Sequence, residues 1–450
     1  MSHHFVEREV ALKSCFANPQ LSVMTFLSEV VLDYPSAISL APGRPSEEFF
    51  HTAAHVAGIG QFVESEAAGV QGSADAAWGR LGQYDRTNGT INSLIARHLE
   101  VDEGIHTNAE SIMVTVGAQE AMAVLLCGLF DPATDVLLSS DPTYIGITGL
   151  ARILGINVAA VATGADGLEP HALANAIAVV TASGKRARAI YDIPDFNNPM
   201  GTSIPLANRH EILATCRTNS TLYLEDNAYG MFAYETRLPT LKSLDRHGDV
   251  IYIGSFAKTL FPGLRLGYLV ADQRVARRDL TLAQVLSSVK SLLTVNTPGV
   301  CQAVAGAALT RHGGSLEPIV APKRREIRLR RDAMLDSLER EFASMRDVVT
   351  WNRPAGGYFL TVTLPFEFGS QELKSCAADY GVIPCPMRFF ALQDNCNRQV
   401  RLSFSYANEQ AIAEGIKRLA RFARDKVVSE AKEGRQQRSL RFGIAEERCV

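Results

Sequence analysis

Residues 114–122 read Val-Thr-Val-Gly-Ala-Gln-Glu-Ala-Met, a β-branched run closed by a glycine and followed at once by helix-forming residues. That order predicts a strand, a tight turn and a helix whose first amide N–H groups point out of the turn. In open parallel sheets such helix starts gather beyond the carboxyl ends of the strands, where ligands bind. A glycine needed only for close packing leaves the same pattern, so the stretch speaks for a fold class before it speaks for a ligand.

Working outward, short apolar runs at 112–116, 136–138, 189–193, 222–224 and 250–253 alternate with helical segments. This alternation predicts an α/β chain with a mostly parallel sheet covered by helices on both faces. After about Gly314 the character changes: a basic helix over 322–341 precedes Trp351–Leu360, Val382–Phe390 and the strand-like Val400–Phe404. Asn408 is the expected N-cap of a last helix, on which Ile412, Ile416, Leu419 and Ala423 share one face. The expected division is an N-terminal arm over 1–55 that joins the small domain, a large domain over 56–315, a smaller α/β C-terminal domain over 316–430 and a mobile tail over 431–450. Residues 51–82 are rich in Ala and Gly and weakly patterned.

A chain of 450 residues exceeds the usual size of a single core, which agrees with two domains. Its net charge of −3 shows no basic excess, so nucleic acid is not expected as a partner. No segment has the length of a membrane span, and charges interrupt the first ten residues where a signal peptide needs an apolar run, so a cytoplasmic protein is expected. The eight cysteines are scattered, with no spacing that suits a metal, and are read as reduced thiols.

Residues 254–267, Gly-Ser-Phe-Ala-Lys-Thr-Leu-Phe-Pro-Gly-Leu-Arg-Leu-Gly, place Lys258 and Arg265 in an otherwise uncharged loop. Desolvation lowers a lysine's pKa and frees its amine as a nucleophile, while an arginine suits a phosphate. Two ordinary surface cations would read the same way. The loop resembles the lysine loop of the fold-type I pyridoxal-phosphate (PLP) dependent aminotransferases, with Ala257 where many members carry Ser.

That resemblance implies the fold-type I architecture, a seven-stranded mostly parallel sheet in the large domain, with Lys258 as the residue that carries PLP and moves the substrate proton. It implies a phosphate site at Gly117, Ala118, Gln119, Ser255 and Arg265, and Tyr144 of Asp-Pro-Thr-Tyr stacked on the pyridine ring. Asn198 of Asn-Pro-Met-Gly and Tyr229 of Asp-Asn-Ala-Tyr would bond the phenolic oxygen, and Asp226 the ring nitrogen. Arg401 would hold the substrate α-carboxylate, with Gly43 and Asn198 beside it and Arg44 near the side chain. Tyr84 would reach the phosphate of the neighbouring subunit, so a homodimer with shared sites is implied.

The resemblance is greatest to the aminoadipate and kynurenine aminotransferase branch. Within it, Val-Val-Leu-Asp-Tyr-Pro (30–35) and Ala-Pro-Gly-Arg-Pro (41–45) are similar to aminotransferases that make aryl-glycines such as dihydroxyphenylglycine for peptide antibiotics. The implied reaction is a ping-pong exchange between an amino acid and a 2-oxo acid. Decarboxylation, elimination or oxidation on the same cofactor, and a non-catalytic PLP-binding sensor, stay open at this point.

Overall fold

The computed structural model describes residues 9–18, 21, 23–69 and 73–446. Cys449 and the first eight residues, on which part of the localisation expectation rests, lie outside them.

Fourteen strands occur among the described residues. In the N-terminal arm, β1 is Ile38–Ser39. The large sheet comprises β2 (Ile112–Thr115), β3 (Asp135–Asp141), β4 (Asn157–Gly164), β5 (Gly167–Leu168), β6 (Arg186–Asp192), β7 (Leu222–Asn227), β8 (Val250–Ser255) and β9 (Gly267–Val270). Its spatial order is β2-β9-β8-β7-β6-β3-β4-β5. Neighbours from β8 through β4 are parallel, whereas β9 runs antiparallel to both β8 and β2. The expected seven strands are present, and the two-residue β5 adds an antiparallel edge.

Successive side chains of the inner strands serve opposite faces. Val136, Leu138, Ile190, Tyr223 and Val250 pack with one set of helices, and Leu137, Ala189, Leu224 and Ile251 with the other. Burial on both faces explains why these strands read as continuous apolar runs. Each parallel pair needs a helical crossover, which the alternation in the sequence supplies.

The smaller sheet contains β10 (Thr350–Trp351), β11 (Phe359–Thr363), β13 (Cys385–Pro386) and β14 (Gln399–Ser403), in the order β10-β11-β14-β13. Nearby, β12 (Val382–Ile383) pairs in parallel with β1, tying the N-terminal arm to this region. The helix Glu317–Glu341 begins ahead of the start expected for it and carries Pro322 in its second turn. The last helix spans Glu409–Glu446 and so includes residues 431–446 of the segment expected as a mobile tail. Its cap is as expected: the Asn408 side-chain oxygen accepts from the Ala411 amide at 2.9 Å.

One buried ion pair braces the loop after β6. Arg209 is fully buried, pairs with Asp195 and donates to the carbonyls of Ile204 and Pro239 at 2.9 and 2.8 Å. Removing one partner of such a pair strands the other in a low dielectric, so Arg209→Ala should cost about 3–5 kcal/mol. Its thermal midpoint should fall by several degrees. An unchanged midpoint would show that the pair contributes nothing net.

Candidate active site

Parallel strands bring their carboxyl ends to one edge of the sheet, and the segments that follow β2, β3, β6, β7 and β8 converge there. They line a cavity of about 350 Å³ together with Leu27 and Pro42–Arg44 of the arm and Phe390 and Arg401 from the small sheet's side. At the end of β8 the Ser255 hydroxyl accepts from the Ala257 amide at 3.1 Å, starting the short helix that carries Lys258. The Lys258 amine reaches across to donate to the Gly43 carbonyl at 2.6 Å. Burial above all, then the nearby Arg401 and Arg265, bring its pKa down to about 8, while Asp226 acts in the opposite sense.

Two features fit a phosphate. Gly117 has φ +72°, and a Cβ there would stand 2.7 Å from a guanidinium nitrogen of Arg265. The glycine therefore lets the Arg265 guanidinium come up against the first turn of the helix Gly117–Leu129, whose free amides and positive dipole end favour an anion. Gln119 donates to the Gly146 carbonyl and accepts from the Tyr144 hydroxyl at 3.2 Å, which fixes the tyrosine at the cavity wall.

Asp226 fits a protonated ring nitrogen. One of its carboxylate oxygens accepts from the Tyr191 hydroxyl at 2.6 Å, and the other is buried with no hydrogen-bond partner. A buried oxygen without a donor is costly, and a ligand N–H in the cavity relieves that cost. Burial raises the Asp226 pKa to about 6, with the Tyr191 bond and Lys258 opposing the rise. Asn198 joins the two sides of the site: its amide nitrogen lies 3.5 Å from the Tyr229 hydroxyl, and its oxygen accepts from Arg401 at 2.7 Å. Arg401 also donates to the Ala41 carbonyl at 2.6 Å and leaves its Nε unpartnered. Its guanidinium is held between the rings of Phe359 and Phe390, 4.3 and 4.6 Å from their centroids.

Of the residues singled out in the sequence, Gly43, Arg44, Ala118, Gln119, Tyr144, Asn198, Asp226, Tyr229, Ser255, Lys258, Arg265 and Arg401 all line this cavity. Gly117 adjoins it through Arg265. Tyr84 does not: it is 77% exposed, away from the cavity of its own chain. Arg44 is already engaged, 4.3 Å over the Tyr406 ring and 3.6 Å from Glu47. Sequence reasoning missed Tyr191, which orients Asp226, and Leu27 and Phe390, which supply apolar wall. Tyr191 carries no local signal, since only the pairing of β6 with β7 sets it beside Asp226.

Residues 73–419 match the family model of class I and II aminotransferases. The chain belongs to that family. It is 44% identical over 414 residues to a (S)-3,5-dihydroxyphenylglycine transaminase of Amycolatopsis orientalis, covering 91% of this chain and 93% of that one. In structure it is similar to a multiple substrate aminotransferase of Thermococcus profundus, with a TM-score of 0.78, 26% identity and coverage of 91% and 96%. A kynurenine aminotransferase of Pyrococcus horikoshii, solved with PMP and KYN, is similar at a TM-score of 0.76, 27% identity and coverage of 90% and 94%. The protein is thus a fold-type I aminotransferase, an enzyme that uses PLP to move an amino group between an amino acid and a 2-oxo acid.

The Lys258 amine of the cofactor-free enzyme should titrate near pH 8. Asp226→Asn should move that midpoint down and Arg401→Met should move it up, as read from the pH dependence of Lys258 acylation by mass spectrometry. Unfolding returns the amine to about 10.4. The unfolded chain therefore binds more protons between these two values, and this group's contribution to stability rises as pH rises through them. A midpoint at the ordinary lysine value would remove the desolvated setting of Lys258.

Proposed function

We propose that this transaminase acts on an aryl-bearing amino acid. Lys258 is its catalytic amine, and Asp226, Tyr229, Asn198, Gly117–Gln119, Tyr144, Ser255 and Arg265 hold its cofactor. The observation that carries the site assignment is the unpartnered Asp226 oxygen, buried in the same cavity as the depressed amine of Lys258. Bound there, PLP supplies an electron-withdrawing ring that stabilises negative charge at the substrate α-carbon. Asp226 would keep a proton at the ring nitrogen, and Lys258 would move the proton between the α-carbon and C4′. Arg401 binds the α-carboxylate of donor and acceptor alike through its free Nε edge.

The aryl reading is supported by the 44% identity to a dihydroxyphenylglycine transaminase and by the Leu27 and Phe390 walls with Arg44 at the rim. A role in making an aryl-glycine for a peptide antibiotic follows from the same likeness. All seven described cysteines are unpaired, which supports a reducing, cytoplasmic setting. A panel of amino acids given to the holoenzyme, with 2-oxo acid products followed, should show preference for aryl-glycines. Arg44→Ala should change the ranking within the panel. Equal rates for aliphatic and aryl donors would overturn the aryl assignment, and a uniform loss with Arg44→Ala would remove that residue from side-chain contact.

We further propose a homodimer in which Tyr84 serves the partner's site. Tyr84 is exposed, as are Trp78 and Val300, and a Cβ on Gly299, next to Val300, would stand 3.3 Å from the Leu81 carbonyl oxygen, so the start of the helix Gly299–Arg311 lies against the end of the helix that carries Trp78. Mixing Lys258→Ala and Tyr84→Ala chains should give about half hybrid dimers, and hence roughly a quarter of all sites wild-type in composition, for a closed two-fold assembly. After checking that Tyr84→Ala alone is impaired, activity in the mixture should exceed the sum of the parents. No gain would mean that Tyr84 serves its own subunit or none.

A further inference from the structure

Asp141 ends β3, three residues before Tyr144, and is 1% exposed. Its carboxylate is spent entirely on another part of the chain. One oxygen accepts from the Leu392 amide at 2.7 Å, and the other from the Gln393 amide at 3.2 Å and the Asn395 side chain at 3.0 Å. Two residues on, the Thr143 amide donates to the Phe390 carbonyl at 3.0 Å. These four bonds fasten one strap, residues 387–396 between β13 and β14, to the loop after β3 that brings Tyr144 to the cavity. On the strap, Phe390 is the residue whose ring lies under the Arg401 guanidinium, 4.6 Å from ring centroid to guanidinium carbon, and it also lines the cavity.

We propose that Asp141 is a positioning residue for the substrate carboxylate: by clamping the strap 387–396 it holds Phe390 against Arg401. The geometry suits the task. A carboxylate accepts several donors at once, and burial raises its pKa while the three N–H groups oppose the rise. The guanidinium lies over the Phe390 ring as well as that of Phe359, so fixing Phe390 limits the planes that the guanidinium can adopt. An arginine confined to one plane loses less conformational freedom when it takes up a carboxylate. The proposal rests on Arg401 being the carboxylate site, and the variants below separate the two.

The test is steady-state kinetics on the holoenzyme with the best donor and acceptor of the amino-acid panel. Asp141→Asn and Phe390→Leu should each raise KM for both substrates about tenfold, the size of one lost interaction, with kcat changed by less than about threefold. Because the two residues act in series, the double variant should be no worse than the poorer single one. Asn395→Ala, at an exposed position that leaves Asp141 intact, should raise both KM values in the same direction by less, and it guards against a folding defect in Asp141→Asn. The absorbance of bound cofactor should be unchanged in every variant. Unchanged KM in Asp141→Asn and Asn395→Ala, or a double variant whose KM is the product of the single effects, would overturn the clamp. Arg401→Met serves as the control: if it too leaves KM unchanged, the carboxylate site itself is misassigned and the clamp falls with it, whereas a raised KM there alongside normal Asn395→Ala and Asp141→Asn enzymes rejects the clamp alone.

Discussion

The common direction of β3, β4, β6, β7 and β8 is the constraint from which the rest follows. Because parallel strands can be joined only by crossovers, each returns to the same starting edge and ends at the same opposite edge. Every following turn is thereby delivered to one place. Tyr144, Asn198, Asp226 and Lys258 are separated by tens of residues in the chain, yet each lies within a few residues of such a strand end. The antiparallel β9 closes the same arrangement: a Cβ on Gly267 would stand 2.7 Å from the backbone of Gly117 and Ala118, so a bare glycine lets the turn at Gly117 rest directly on the sheet.

Electrostatics explains why this edge is built for a particular kind of guest. Arg44, Lys258, Arg265 and Arg401 line the cavity, against one carboxylate, Asp226. Packing like charges together in a desolvated space is unfavourable, and part of that cost shows in the depressed pKa of Lys258. A phosphate ester and an α-carboxylate together bring the missing negative charge. Asp226 meanwhile needs a proton donor for its unpartnered oxygen, and a pyridinium N–H is such a donor. The cavity is thus complementary to a zwitterionic, phosphorylated ring joined to a carboxylate, and much less so to a neutral ligand.

The two sheets meet the guest differently. From the large sheet come backbone amides, Lys258 and Asp226, all set on or just after strands. From the smaller one come Arg401 on β14 and the ring that covers it on the strap before β14. Asn198 bridges the two through its contacts with Tyr229 and Arg401.

Read alone, the sequence determined the fold class, because burial of the inner strands on both faces leaves continuous apolar runs with helices between them, and it determined the last helix through Asn408. It also singled out most of the residues that line the cavity, since Lys258, Arg265, Asp226, Tyr229, Asn198 and Arg401 sit in short motifs that resemble those of the family. It did not single out β4, an Ala-rich strand with several part-exposed positions, or β9, whose antiparallel direction leaves no mark on composition. Tertiary structure alone decided that Tyr191 faces Asp226, that Phe359 and Phe390 enclose Arg401, and that Asp141 is spent on residues 392–395. Each of those contacts joins segments far apart in the chain, and their registers are set by strand pairing and packing, which no local pattern of residues encodes.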